Sequence, residues 1–265
     1  MRILHEEPPL PAVSGSRPLD RTLGWPVRHP WLVAIGASLV PVVFTAGGFA
    51  VAQVRGLDDL GTYLTVASAV TVSALVGFLI MWRARPSLTD FGLCTPRNAA
   101  GALWWAPPAA VVALVLLGSG VAVRPEVVPA IVWLAVAVGL NEEFFYRGVV
   151  FKVMHRYGTR RAIVYSALIF GVLHLANLGN GCSAGYLVLQ VVFSALFGFV
   201  TAELVAVTGS LWPGVAFHAA YDTVAYLGGD SSSTTALVSL AVQVVLLGAY
   251  GWWLWRRLPR AEVSA

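Results

Sequence analysis

The feature that most constrains this chain is a succession of long apolar stretches separated by short polar or charged segments. Each is long enough to cross roughly 30 Å of hydrocarbon as a helix, and flanking charges and loop residues mark where each one ends. The third, fourth and last are almost unbroken, whereas the fifth and seventh also contain Gly, Pro and polar residues. The windows are approximately 31–54, 61–82, 101–123, 127–151, 161–179, 184–207, 210–228 and 235–255.

The composition agrees with a membrane protein. Of the 265 residues, 58% are hydrophobic and only 11% are charged, and the mean hydropathy is +0.76. Such a chain is too apolar to fold around a single soluble core. The predicted fold class is therefore all-α, a polytopic membrane helix bundle with about eight transmembrane helices.

The basic residues are distributed unevenly over the segments that connect these windows. If both termini are cytoplasmic, all but three of the 17 Lys and Arg residues lie inside, the exceptions being Arg55, Arg124 and the intramembrane Arg147. This imbalance predicts an even number of spans and cytoplasmic termini. The basic pI of about 9.3 then reflects topology and does not indicate a nucleic-acid partner.

A few ionisable residues lie inside the predicted spans, where an unpaired charge costs several kcal/mol, so each is a functional candidate. Glu143 and Arg147 are four residues apart and can pair on one helical face. Glu142 is rotated about 100° from that face, which leaves it free for chemistry. The plainer alternative is that both glutamates only neutralise Arg147. Glu203 matches no motif and is interpreted as an interfacial or helix-packing residue.

Two further spans carry histidines with a helical neighbour. Phe170 precedes His174 by four residues and is placed to pack on its ring. His218 and Asp222 are also four apart, so the carboxylate can orient the imidazole or join it in binding a substrate oxygen or a metal. Counted from the cytoplasmic ends, Glu142, His174 and His218 lie roughly 12–21 Å deep. Three spans could thus present polar groups to one cavity.

These residues carry a resemblance to a known family. EEFFYR at 142–147 matches EExxxR, FGVLH at 170–174 matches FxxxH, and HAAYD at 218–222 matches HxxxN/D, in that order on successive apolar segments. Together they resemble the CPBP family of intramembrane proteases, also called the Abi or CAAX-protease family. The similarity covers roughly residues 100–228, and TDFGL at 89–93 resembles the short amphipathic segment that many members have there.

The resemblance implies a membrane endopeptidase and assigns roles to its residues. Peptide hydrolysis needs an activated water, an oxyanion stabiliser and an acid for the leaving amine. Glu142 and His174 correspond to the water-activating pair of the family, and His218 and Asp222 to its oxyanion-side pair. The implied partners are a membrane-associated protein or peptide substrate and the lipid bilayer, whereas the oligomeric state and the identity of the substrate are not indicated.

The same resemblance assigns supporting roles and a catalytic core, while the tail and the first two spans lie outside it. Glu143 and Arg147 correspond to residues that fix the helix, and Phe170 opens the FxxxH motif. The predicted organisation is a disordered cytoplasmic tail, two N-terminal helices with an amphipathic linker, a catalytic helix core, and a last helix with a basic tail. Their limits are 1–24, 25–100, 101–228 and 229–265. Cys94 and Cys182 fall on opposite membrane sides, so no disulfide between them is expected.

One departure from the family leaves the cofactor question open. The best-known prenyl endopeptidases carry Asn at the last motif position, where this chain has Asp222, as many bacterial members do. An ionised Asp can only accept hydrogen bonds. Asp222 must therefore orient His218, be protonated, or ligate a cation. Glu142, His174, His218 and Asp222 could form a Zn²⁺ site, although there is no HExxH motif. A metal-free glutamate mechanism, which requires no cofactor, is slightly favoured.

Two other function classes remain as alternatives to the protease. A proton-coupled carrier would use the glutamates and histidines as a relay, but no inverted repeat is present. A catalytically inactive scaffold would bind a partner helix, yet it has no need for Glu142 together with two histidines. High Ala, Val, Gly and Arg content with little Lys is typical of a GC-rich bacterial genome, so the predicted location is a bacterial plasma membrane.

Overall fold

The computed structural model describes residues 28–84, 87–97, 102–176, 184–229 and 233–258, which are helical apart from their connections and contain no strand. This confirms the predicted all-α fold class. The predicted tail at 1–24, Cys182 and Arg260 lie outside the described residues. The α-helices are α1 (Pro30–Val54), α2 (Asp59–Arg83), α3 (Ala102–Ser119), α4 (Val128–Glu142), α5 (Phe151–Met154), α6 (Thr159–Leu173), α7 (Ala184–Thr208), α8 (Trp212–Leu227) and α9 (Thr234–Arg257).

Each predicted window falls on a helix, and the chain is a polytopic helical bundle. In the described part of the chain, six helices are long and apolar enough to cross a membrane. Of the other two windows, α3 contains a shorter apolar helix, Trp104–Ser119, and α8 has only 16 residues, about 24 Å of helix. The six candidates are Pro30–Val54, Asp59–Arg83, Pro125–Tyr157, Thr159–Ala176, Gly185–Thr208 and Thr234–Arg257.

Local signals explain where the long helices begin and end. The side chain of Asp58 accepts a hydrogen bond from the backbone N–H of Gly61 at 2.8 Å and caps the start of α2, as an N-cap residue does. Ser233 caps α9 in the same way. Both helices end with arginine in the last turn, where a cation interacts favourably with the helix dipole.

The segment after α2 is fastened to the turn between α7 and α8. A 3₁₀ helix, Leu88–Phe91, ends at Gly92, whose φ of 84° is a left-handed conformation that suits glycine. The backbone N–H of Leu211 then donates to the Gly92 carbonyl at 2.8 Å, and that of Arg97 donates to the Thr208 carbonyl at 2.9 Å. The predicted amphipathic segment at 89–93 therefore lies against the end of the bundle that holds the start of α8.

The helix that follows α4 differs from the regular α-helix that the sequence analysis assumed. The α-helix ends at Glu142 and continues as a π-helix, Glu143–Val150, before α5 begins. All eight π-helical residues are buried, and Glu143, Phe145 and Val150 are completely so. π-helical turns are rare and occur frequently at functional sites. Tertiary packing around this segment, which local propensity does not record, is the physical reason for the difference.

Contacts from three neighbouring helices hold the π-helix in place. The Tyr146 hydroxyl donates to the Ser38 carbonyl of α1 at 3.0 Å, and the Ser166 hydroxyl of α6 donates to the Tyr146 carbonyl at 2.9 Å. Phe145 packs beside Gly77 of α2, where an added Cβ would lie 3.0 Å from its ring. The π-helix is therefore the centre of the bundle, whereas α1 exposes residues such as Leu32 and Val43 on its outer side.

Candidate active site

Glu143 and Arg147 form an ion pair at the middle of the bundle. Glu143 Oε1 lies 3.2 Å from Arg147 Nη1, and both side chains have 0% exposure. The guanidinium also lies over the Phe170 ring, with its carbon 4.4 Å from the ring centroid, which is a cation–π contact. Gly198 of α7 makes room, since a Cβ there would be 3.1 Å from Arg147 Nη2. The i, i+4 contact predicted from the sequence is present.

Glu143 has a second partner that the sequence analysis did not predict. The Nδ1 of His218 on α8 lies 3.1 Å from the same Oε1 that contacts Arg147. Gly214, one turn earlier on α8, permits this approach because an added Cβ would stand 2.8 Å from Glu143 Oε2. Residues 75 positions apart carry no local signal of such a contact, so only the tertiary structure reveals that Glu143 links Arg147 to His218.

Glu142 and Asp222 lie on the other side of the His218 ring. The Nε2 of His218 is 3.5 Å from Glu142 Oε2 and 3.7 Å from Asp222 Oδ2. In contrast to the closed Glu143–Arg147 pair, the side chains of Glu142 and Asp222 keep 20% and 18% of their surface exposed. The cluster therefore has a closed side made by Glu143 and Arg147 and an open side made by Glu142 and Asp222.

His174 is fixed at the end of α6 by its own helix. Its Nδ1 lies 2.8 Å from the Phe170 carbonyl, and a backbone carbonyl can only accept, so Nδ1 carries the proton. In the neutral ring, Nε2 is then a proton acceptor. The Phe170 ring packs edge-on against His174, with centroids 4.8 Å apart, as the spacing predicts. The described residues record no ion pair between His174 and Glu142, although the sequence analysis placed them together across a cavity.

Phe170 connects the two histidines. Its ring also makes an edge contact with His218, with centroids 6.1 Å apart, and with Tyr146 at 4.9 Å. A substitution at Phe170 would therefore disturb His174, His218 and Arg147 at once. Its description as a supporting residue remains a prediction, and the geometry favours it.

An aromatic wall between α7 and α8 closes one side of His218. We define this wall as Phe193, Phe197, Phe217 and Tyr221. Phe197 stacks on Phe217 with centroids 4.6 Å apart and makes an edge contact with His218 at 4.9 Å. Phe193 stacks on Tyr221 at 5.0 Å. The sequence analysis missed the wall because aromatic residues within apolar spans resemble ordinary core residues.

The fit of a metal can be tested on the donor set that the sequence predicted, Glu142, His174, His218 and Asp222. His218 directs Nδ1 at Glu143 and Nε2 at two carboxylates, while His174 is bound to Phe170. In the described part of the chain, no group of three or more His, Cys, Asp or Glu side chains is arranged to hold a metal ion. These side chains, as positioned, do not fit a metal centre.

Comparison with known protein families gives a match to the core of this chain. Residues 124–224 match the family model described as type II CAAX prenyl endopeptidase Rce1-like. This region contains all three motifs, at 142–147, 170–174 and 218–222. The chain matches no curated protein. The match confirms the resemblance drawn from the motifs: residues 124–224 are similar to the Rce1-like type II CAAX prenyl endopeptidases, which is consistent with the CPBP family.

Proposed function

We propose that this protein is an intramembrane endopeptidase that hydrolyses peptide bonds of membrane-associated proteins or peptides, with Glu142 and His174 activating the attacking water. The Rce1-like family implies a protease of the CAAX type. The observation that carries the proposal is that two adjacent glutamates have different surroundings. Glu143 is closed and bound to Arg147 and His218, whereas Glu142 remains partly exposed.

The proposed reaction uses these groups in a defined order. A water molecule loses a proton to the Glu142 carboxylate, and His174 Nε2 is the second acceptor that orients the water. The hydroxide oxygen bonds to the substrate carbonyl carbon, and the carbonyl oxygen becomes an oxyanion. The proton held by Glu142 then passes to the leaving nitrogen as the carbonyl re-forms and the C–N bond breaks, which yields a carboxylic acid and an amine. The acid then loses its proton to the amine, so the products leave as a carboxylate and an ammonium group.

Glu143 and Arg147 act in this proposal as positioning residues. The carboxylate of Glu143 holds His218 through Nδ1, which sets the orientation of a ring whose Nε2 faces Glu142 and Asp222. Arg147 neutralises Glu143, so the charge that orients His218 does not stand alone in the bundle. His218 and Asp222 then border the substrate carbonyl on the side away from His174.

The metal-free version of this chemistry is testable with Asp222. If Asp222 serves His218 and the oxyanion, Asp222→Asn should cleave at least as well as wild type, because an amide can donate a hydrogen bond. If it ligates a cation, the variant should lose activity, and chelators should inhibit the wild type with recovery on adding Zn²⁺. Loss in the variant together with reversible chelator inhibition would contradict the metal-free mechanism.

We also propose that both termini face the cytoplasm of a bacterial plasma membrane. The distribution of basic residues supports this orientation. A reporter fused after Arg260 should be active in the cytoplasm, and one fused near Asp230 should be active outside. The opposite pair of results would overturn the orientation.

The function itself can be tested in cells. Membrane proteomes of cells that express wild type or Glu142→Gln should differ in new peptide termini that appear only with the wild type. Glu126→Gln is a matched control, because Glu126 is exposed and pairs only with Arg124 in the described structure. Termini that depend on Glu142 and not on Glu126 support the protease. Identical termini in all three strains would contradict it and favour a scaffold or a carrier.

A further inference from the structure

Hydrolysis at this site needs hydrogen-bond donors for the oxyanion, and Asp222, the partner of His218 on the oxyanion side, supplies none when it is ionised. This inference rests on the proposed function. Glu142 and Asp222 are acceptors when ionised. His218 directs Nδ1 at Glu143, so Nε2, on the side of Glu142 and Asp222, is its one donor left for the oxyanion. The Nδ1 donor of His174 is taken by Phe170. A second donor must therefore come from another residue.

Tyr226 is placed to be that donor. It follows Asp222 by one helical turn and His218 by two, so the three lie along one face of α8. Its ring packs against the apolar cluster that joins α2 to α4, which includes Val138, one turn before Glu142. The phenol lies within electrostatic reach of both Asp222 and Glu142, and its side chain is partly exposed.

The packing of α8 on α4 fixes this placement. An added Cβ at Gly139 would lie 3.1 Å from the Ala219 nitrogen and 3.2 Å from the Val215 carbonyl oxygen, so the two backbones approach closely there. Helices α4 and α8 run in opposite directions, so later residues of α8 lie beside earlier residues of α4. Long side chains on a helix lean toward its N-terminus, which directs the Tyr226 phenol back toward Asp222.

We propose that Tyr226 is a further catalytic residue, whose hydroxyl donates a hydrogen bond to the oxyanion formed from the substrate carbonyl. It supplies the donor that a carboxylate at position 222 cannot supply. Tyr226 lies two residues beyond the region matched by the family, so the match assigns it no role. The nearby Tyr63 of α2 packs against the same apolar cluster but does not lie on the face that carries His218 and Asp222.

The test removes one oxygen atom and measures steady-state cleavage. The substrate is a fluorogenic peptide built from a junction found in the terminus comparison, cleaved by purified protein in liposomes. Tyr226→Phe should lower kcat by about 100- to 1000-fold with little change in KM, as loss of an oxyanion donor does. Tyr63→Phe is the matched control and should stay within about twofold of wild type, because its hydroxyl has no assigned role.

A second variant shows whether the activity is lost because a hydrogen-bond donor is missing or because the fold is damaged. In the Asp222→Asn background the amide can donate, so adding Tyr226→Phe should cost less than about tenfold. A Tyr226→Phe enzyme that cleaves like wild type would overturn the inference, and so would an equal loss in both backgrounds. The proposed function fails separately, if Glu142→Gln cleaves this peptide as fast as wild type does.

Discussion

Two buried glutamates in this protein have opposite surroundings. Glu143 has a cation, Arg147, and an imidazole, His218, within 3.2 Å of one oxygen. Glu203 on α7 is equally buried, at 0% exposure, yet neither of its oxygens has a hydrogen-bond partner among the described residues. On α9, Glu203 lies beside Gly251, where an added Cβ would be 3.3 Å from Glu203 Oε2.

The difference distinguishes a buried glutamate that positions other polar residues from one that has no hydrogen-bond partner in the described structure. A buried charge is retained at low cost when partners surround it, and the partners then become fixed by it. Glu143 therefore orders Arg147 and His218, whereas Glu203 orders no polar group in the described structure. Glu203 lies inside the bundle between α7 and α9, as a helix-packing residue does.

Removal of the central cation should have the largest effect. Arg147→Ala leaves Glu143 buried with its charge uncompensated and empties the space over Phe170, so the free energy of unfolding should fall by about 3–5 kcal/mol. Denaturant unfolding in detergent, followed by circular dichroism, measures this loss. Arg124→Ala is the control, because Arg124 is 62% exposed, and it should change stability by less than about 0.5 kcal/mol. Equal stabilities of the two variants would contradict the stabilising role that the contrast between Glu143 and Glu203 gives to Arg147.

A smaller loss of stability is expected when Glu143 is displaced than when its partner Arg147 is removed. Gly214→Ala places a methyl group 2.8 Å from Glu143 Oε2, and the displacement should cost about 1–3 kcal/mol and lower the cleavage rate by roughly tenfold or more. Unfolding and cleavage of the purified variant measure both. Gly36→Ala has nothing within 4 Å of the new methyl group and should be neutral or slightly stabilising. A fully active Gly214→Ala enzyme would show that the position of Glu143 does not matter.

The smallest effect is expected at the unpartnered carboxyl. Glu203→Gln replaces an acid without a described partner by a neutral group of the same shape, so stability should change by less than about 1 kcal/mol. Denaturant unfolding again gives the measurement. A loss as large as that of Arg147→Ala would reveal a strong partner for Glu203 and would remove the contrast with Glu143.

The sequence predicted the helices and the local pairs well. Apolar length marked every window on which a helix lies, and i, i+4 spacing gave the contacts of Glu143 with Arg147, Phe170 with His174, and His218 with Asp222. These predictions succeed because each depends on residues within one or two turns of a helix.

What the sequence could not predict depends on distant parts of the chain. The π-helix at Glu143–Val150 is set by the packing around it, and its residues carry no signal for that geometry. The contact between Glu143 and His218 and the space left by Gly214 exist only when α8 packs on the helix of the glutamates. Tyr226 lacks the charge that drew attention to the other intramembrane residues.

The most direct test of the account compares the same substitution at the partly exposed Glu142 and at the buried Glu203. Purified Glu142→Gln and Glu203→Gln proteins, in liposomes with the same fluorogenic membrane peptide, should both fold and insert. We expect Glu142→Gln to abolish cleavage, because the amide cannot take a proton from water, and Glu203→Gln to cleave within about twofold of wild type. Cleavage by Glu142→Gln at the wild-type rate would contradict the central claim that Glu142 activates the water.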